Sequence, residues 1–264
     1  MKLPIEVVDA IKQNRCIAFV GSRFASEAAE LANAAYPEAK DLAKELGWKK
    51  PKPVLGQKPK PVAPSVEEGA TTFEAANGRA ALVAKLGAEL GCAGVPPTEA
   101  HKVMLRLFPT MFSTCMDDLF ERAARETGVT LDVVERTQKV PDIDKDRRTL
   151  VRLRGGFDRP ETLVLTPADF QARAFPAEVR KQLRSWIRQY VIFFVGFRPD
   201  EEEFEHLFSE LSDAFGGELP RCHLAVSQGA IDDYLWQKWV WRGLLMFTAD
   251  PTEAMAEMEA RISS

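Results

Sequence analysis

Cys16-Ile17-Ala18-Phe19-Val20-Gly21-Ser22-Arg23-Phe24-Ala25-Ser26-Glu27-Ala28-Ala29-Glu30 opens with five apolar residues and then turns on a glycine. A run of that length without alternation fits a strand buried on both faces, as in a parallel sheet. Gly21 suits a turn that a Cβ would obstruct. Ser22 or Ser26 is placed to cap a helix beginning at Glu27. A strand, a glycine turn and a helix start aim backbone N–H groups and the positive end of the helix dipole at one spot, which suits a phosphate. One glycine also fits an ordinary strand-to-helix connection, so this stretch alone points to a nucleotide site and no further.

Working outward, residues 4–15 read as an amphipathic helix with Ile5, Val8 and Ile11 at helical spacing. Val191-Ile192-Phe193-Phe194-Val195 is a second wholly apolar run, and Gly196 follows it as Gly21 follows the first. Residues 111–114, 129–134, 150–153, 162–165, 222–226 and 244–247 read as further strands. Residues 117–126, 176–189, 201–215, 231–240 and 251–262 read as helices. Thr166, Pro167 and Asp169 mark one more helix start, and Asp200 with Glu203 reads as an N-cap and capping box for the 201–215 helix. This alternation predicts an α/β fold, a Rossmann-like parallel sheet with helices on both faces. Ligands in such sheets sit beyond the carboxyl ends of the strands, where Gly21 and Gly196 both fall.

Residues 36–107 interrupt the pattern. Two copies of Lys-Pro-Lys-Pro-Val, at Lys50 to Val54 and Lys58 to Val62, forbid helix and favour an extended segment. Helical pieces at 41–46, 78–90 and 96–107 surround them. The expected organisation is therefore a Rossmann-like core of residues 1–35 and 108–264, with a helical insertion over 36–107 that carries a Lys/Pro-rich flexible loop at 48–70.

Lys and Arg number 35 against 39 Asp and Glu, so no basic surplus marks a nucleic-acid footprint. No apolar run approaches the roughly 20 residues of a membrane span, and the N-terminus lacks a signal-peptide core. The expectation is a cytoplasmic protein with no nucleic-acid or membrane partner. Cys16, Cys92, Cys115 and Cys222 form no C-x-x-C pair, and His101, His206 and His223 are dispersed. Buried thiols are expected, and no zinc or other metal.

Several stretches together resemble the sirtuin-like family of bacteria, of the kind found in anti-phage NAD-consuming systems. Residues 5–30 are similar to the family's helix, strand and Gly-Ala-Gly-x-Ser loop. Residues 37–42 resemble Pro-x-Trp-x-x-Leu, with Ala39 in place of the aromatic. Ser113 to Glu121 is similar to Thr-Thr-Asn-x-Asp-x-Leu-x-Glu, Leu153 to Gly156 to Leu-His-Gly-x, and Leu163 to Phe170 to Val-Leu-Thr-x-x-Asp-Tyr. Phe194 to Arg198 resembles the start of Phe-Val-Gly-Tyr-Ser-x-x-Asp, with Glu201 or Asp200 as its acid. The resemblance spans nearly the whole chain in the family's order.

The resemblance implies a site for NAD or ADP-ribose at Gly21, Ser22, Arg23, Asp117, Gly196, Phe197 and Arg198. It also implies that two working positions have changed. The family's Asn, which positions the nicotinamide ribose and water, corresponds to Cys115; its general-base His corresponds to Arg154. A thiol lacks the two-sided hydrogen bonding of an amide, and a guanidinium stays protonated. The reading is a catalytically inactive sirtuin-like pseudoenzyme that binds an NAD-related nucleotide, or serves as a regulatory or scaffold subunit with a protein partner or a second copy, in an anti-phage setting. The alternative is an active NAD hydrolase using substitute residues such as His101, Asp117 or Asp118. Bland readings stand beside these: Cys115 as a buried small apolar residue, Arg154 paired with a nearby carboxylate, and Phe193, Phe194 and Phe197 as core.

Overall fold

The computed structural model describes residues 3–50, 64–144, 146–186, 189–217, 219, 222–226 and 232–263. Its helices are α1 (Ile5–Lys12), α2 (Arg23–Leu31), α3 (Ala39–Glu45), α4 (Val66–Asn77), α5 (Arg79–Leu90), α6 (Glu99–Leu107), α7 (Leu119–Thr127), α8 (Pro167–Ala172), α9 (Ala177–Trp186), α10 (Glu202–Ala214), α11 (Asp233–Trp241) and α12 (Pro251–Ser263). Its strands are β1 (Cys16–Val20), β2 (Thr110–Ser113), β3 (Leu131–Glu135), β4 (Arg148–Arg152), β5 (Val191–Val195), β6 (Cys222–Val226) and β7 (Leu244–Thr248). They form one sheet in the order β3-β4-β2-β1-β5-β6-β7, and every neighbouring pair runs parallel.

β1 lies at the centre because all five of its residues can be buried. Successive side chains leave opposite faces of a strand. Ala18 and Val20 therefore join Val8, Met104, Phe193 and Met255 on one face, while Ile17 and Phe19 join Phe112, Phe194 and Trp239 on the other. Phe19 stacks on Phe112 with ring centroids 4.7 Å apart and planes 8° from parallel. A third, smaller core holds Leu42, Leu46, Leu82 and Leu86 against Met116, Leu163 and Leu165. It seats α3 to α5 over the carboxyl end of the sheet.

The chain leaves β1 towards β2 on one side and leaves β5 towards β6 on the other. The adjacent carboxyl ends of β1 and β5 thus mark the switch point where such sheets open a crevice. Among the described residues no helix is long and apolar enough to cross a membrane, and all four cysteines are buried.

Several local expectations are corrected. α2 starts at Arg23 rather than Glu27, and neither serine caps it. Ser22 has helical φ and ψ, and the Ser26 hydroxyl donates to the Arg23 carbonyl at 3.1 Å. The turn is anchored to β5 instead: Gly21 N–H donates to Val195 O at 2.9 Å and Arg23 N–H to Gly196 O at 3.0 Å. Residues 162–165 form no strand; a 3-10 turn at Pro160–Thr162 leads into a segment whose Leu163 and Leu165 fill the small core. Asp200 and Glu203 do not cap α10, whose N-cap is Glu201 without a side-chain bond. The loop expected over 48–70 ends before Val66, where α4 begins with Ser65 capping it from the Glu68 N–H at 3.2 Å. Most of the Lys/Pro repeat, and Ile231 at the expected start of α11, lie outside the described residues.

Candidate functional site

Beyond the carboxyl ends of β1, β2, β4 and β5 lies a cavity of about 400 Å³. The turn after β1 lends it Ser22, Arg23 and Ser26; the segment after β2 lends Thr114 and Cys115; Arg154 follows β4 and Arg198 follows β5. The opposite wall comes from α3, α4 and the segments leading into them, with Tyr36, Glu38, Leu42, Val66 and Glu67. Asp200, Glu201 and Glu203, at and before the start of α10, complete it.

Of the residues the resemblance implicates, Ser22, Arg23, Cys115, Arg154 and Arg198 line one cavity, together with both candidates for the motif's acid, Asp200 and Glu201. Gly21, Gly196, Phe197 and Asp117 stand behind it. A Cβ on Gly21 would lie 2.4 Å from Gly196 O and 2.6 Å from the Phe197 ring, and Gly196 has φ +74°. The two glycines let the turns after β1 and β5 touch. Phe197 belongs to the core, edge-on to Phe194. Asp117 is buried, and its Oδ1 accepts from the Leu119 N–H at 2.9 Å at the start of α7. Burial lifts Asp117 to about 6, against that hydrogen bond.

Arg154 has the most elaborate surroundings. Its Nε donates to Val164 O at 3.2 Å, Nη1 to Glu203 Oε1 at 3.2 Å and Nη2 to Glu67 Oε1 at 3.0 Å. The side chain is only 9% exposed, and Glu67 only 7%. Burial works against the cation, but Glu67 and Glu203 outweigh it and hold Arg154 above the usual guanidinium range. Glu203 is pushed up by burial, with Arg154 opposing and Glu67 adding to the shift. Burial and the neighbouring Glu203 carry Glu201 to about 7. A guanidinium only donates, so Arg154 cannot take a proton from a ligand.

Cys115 gives a similar result. Its Sγ donates to Gly21 O at 3.3 Å, and burial with nearby Asp117 raises the thiol well above its ordinary value. A protonated thiol is a poor nucleophile. Among the described residues, no histidine lines the cavity. His101 is buried between Phe24 and Phe120, closes a capping box with Thr98, and is held down to about 3 by burial. Asp118 pairs with Arg122 at 2.8 Å.

The cations at the β1 and β5 ends differ. Arg198 is engaged by Asp200 at 2.9 Å and Glu201 at 3.4 Å. Arg23 forms no ion pair among the described residues, and its Nε is buried without a hydrogen-bond partner. With the Arg23 N–H bound to Gly196 O and the Phe24 N–H to Gly21 O, the attraction for an anion comes from the Arg23 side chain more than from the backbone. Among the described residues, no group of three or more His, Cys, Asp or Glu side chains is placed to hold a metal.

Glu67 was not singled out in the sequence, although Ser65-Val66-Glu67-Glu68 carries the S-x-x-E signature of a helix start. That signature places Glu67 at the second position of α4. It gives no hint that the helix would lean on Arg154, 87 residues away in the chain.

A family model for the SIR2-like domain matches residues 109–241, half of the chain. The chain belongs to the SIR2-like family. Two solved structures share the fold. A mutant Sir2 homologue in complex with ADP-ribose superposes with a TM-score of 0.53 at 11% identity, over 99% of this chain and 97% of the other. A mutant Sir2 with a p53 peptide and NAD gives 0.52 at 10% identity, over 98% of each. A search of curated proteins finds no match. At these identities the structures speak for the fold alone. Within the SIR2-like chain, the matched stretch includes Cys115, Arg154, Arg198 and Glu203, whereas Gly21, Arg23 and Glu67 lie before it.

Proposed function

We propose that this SIR2-like domain binds NAD or ADP-ribose in the cavity beyond β1, β2, β4 and β5 and does not hydrolyse it. Residues 1–35 and 108–264 serve as the core, and residues 36–107 as the insertion that walls the cavity. One observation carries the reading: Arg154, where the family motif expects the general base, is a buried cation tied to Glu67 and Glu203. Arg23 supports the binding half, because a guanidinium that forms no ion pair among the described residues and stands at a helix start is suited to a phosphate. The domain then acts as a ligand-sensing or scaffold subunit, and the anti-phage setting is the one its motif resemblance suggests. Titration of the purified chain with NAD and ADP-ribose by calorimetry tests the binding. Assay of free nicotinamide in the same mixtures tests the silence. Saturation at micromolar ligand without nicotinamide release is expected; release at a rate proportional to protein overturns it.

A second reading is favoured by Glu201 alone. It lines the cavity, and burial with neighbouring Glu203 pushes its carboxyl up to about 7 against the pull of Arg198, towards the range where a general base works best. In that case the chain is an active NAD hydrolase, and its turnover vanishes in Glu201→Gln.

A further inference from the structure

We infer that the outer edge of β7, with the end of α11 beside it, is the surface through which the chain pairs with a second copy of itself. Among the described residues β7 pairs with β6 alone, and the sheet ends there; its opposite edge is β3. A free edge presents unpaired N–H and C=O groups to any other strand, and charged side chains are the usual guard against that. β3 is guarded: its five residues include Glu135 and Asp132, the latter paired with Arg147 at 2.7 Å. β7, Leu244-Leu245-Met246-Phe247-Thr248, carries no charge and no proline.

Exposed apolar surface gathers at the same place. Six large apolar side chains are exposed among the described residues, and four of them, Tyr234, Val240, Trp241 and Leu245, belong to α11 and β7. Trp241 is 85% exposed, Tyr234 80% and Leu245 50%. A two-residue link, Arg242 and Gly243, sets Trp241 beside the start of β7. Tyr and Trp are the side chains that most often anchor protein interfaces.

The edge is complementary to itself. An antiparallel pairing about a two-fold axis at Met246 sets all five residues of β7 against five, as an isologous contact requires. Leu244 then faces Thr248 of the second copy, Leu245 faces Phe247, and Met246 faces its own mate, so no like charges meet across the ladder. The flanks of the strand carry opposite charge. Before it, Lys238 and Arg242 share a single carboxylate, Glu205, which leaves that end positive. After it come Asp250 and, in the first turn of α12, Glu253. Antiparallel pairing brings the positive end of each copy to the negative end of the other. β6 stands between β7 and β5, and strand direction reverses across the axis, so both cavities stay open, on opposite sides of the pair.

Sedimentation velocity of the intact chain, from low to high micromolar concentration, tests this. The expected mass climbs with concentration to twice that of the chain and stops there. Leu245→Lys and Trp241→Ala, both at exposed positions, should each weaken the pair roughly tenfold or more, the scale of losing an interface anchor. Leu31→Lys, at an exposed position on α2 after the central strand, should leave it unchanged. A single chain at every concentration overturns the self-pairing and leaves the edge to a strand from another protein. A mass that climbs past two copies overturns the two-fold closure. A dimer that both edge variants leave intact, or that Leu31→Lys weakens as much as they do, overturns the assignment to β7. The wild-type series and Trp241→Ala decide without Leu245→Lys if that variant does not fold.

Discussion

At Gly21 a methyl group would meet the Gly196 carbonyl oxygen at 2.4 Å, well inside contact distance. Gly21→Ala should therefore destabilise the fold by about 1–3 kcal/mol, the usual range for overpacking, and lower the denaturation midpoint with or without ligand. Gly21→Asp would likewise report on folding before it reported on binding. Asp117 makes a prediction of the opposite sign. Its carboxyl is raised from 3.8 to about 6, so the folded state holds the proton more tightly than the unfolded chain. Stability from this group is then present below about pH 4 and is lost as pH rises through about 6. Asp117→Asn keeps an oxygen for the Leu119 N–H and removes the buried charge. Its melting temperature should exceed wild type at pH 8 and approach it at pH 5; an equal difference at both pH values would contradict the account. Glu201, raised to about 7, adds a slope of the same sign.

The contact between α4 and α10 runs through Arg154. Replacing it with Met removes the partner of two enclosed carboxylates, and breaking a buried pair in this way typically costs about 3–5 kcal/mol. The loss should be smaller at pH 5 than at pH 8, because burial already pushes the Glu203 carboxyl upward and a proton on it removes the enclosed charge. Adding Glu67→Gln and Glu203→Gln to Arg154→Met should recover much of it; urea denaturation of the single and triple variants measures both. Arg154→His would also leave one carboxylate without its partner, so a failed attempt to restore activity by that change would reflect folding as much as chemistry. Here the limits of sequence reading are plain. The unbroken apolar runs of β1 and β5 announced themselves, because a strand covered on both faces has no polar side to hide. The Arg154 position was legible through Leu153, Gly155 and Gly156 around it. The cap of α10 was misread because Asp200 and Glu203 have the right spacing, yet stronger partners, Arg198 and Arg154, draw both carboxylates away. Local spacing carries no information about a cation that arrives from another strand. Glu67 went unnoticed for the same reason.

Over the whole molecule, the order β3-β4-β2-β1-β5-β6-β7 gathers the ends of β1, β2, β4 and β5 beneath α3 to α5, and residues from distant parts of the chain meet there. Parallel strands and flanking helices were readable from alternation, whereas strand order and the seat of α3 to α5 were not, since both depend on packing between distant segments. The SIR2-like family assignment gives the fold its name and leaves the chemistry to the cavity, where a paired arginine stands in the proposed base position. The most direct test is one calorimetric titration of the purified wild-type chain with NAD, followed by assay of nicotinamide in the recovered sample. The account predicts saturable binding at micromolar NAD with nicotinamide no higher than in a protein-free control. Nicotinamide that accumulates in proportion to protein, or the absence of any saturable heat with NAD and ADP-ribose alike, would contradict it.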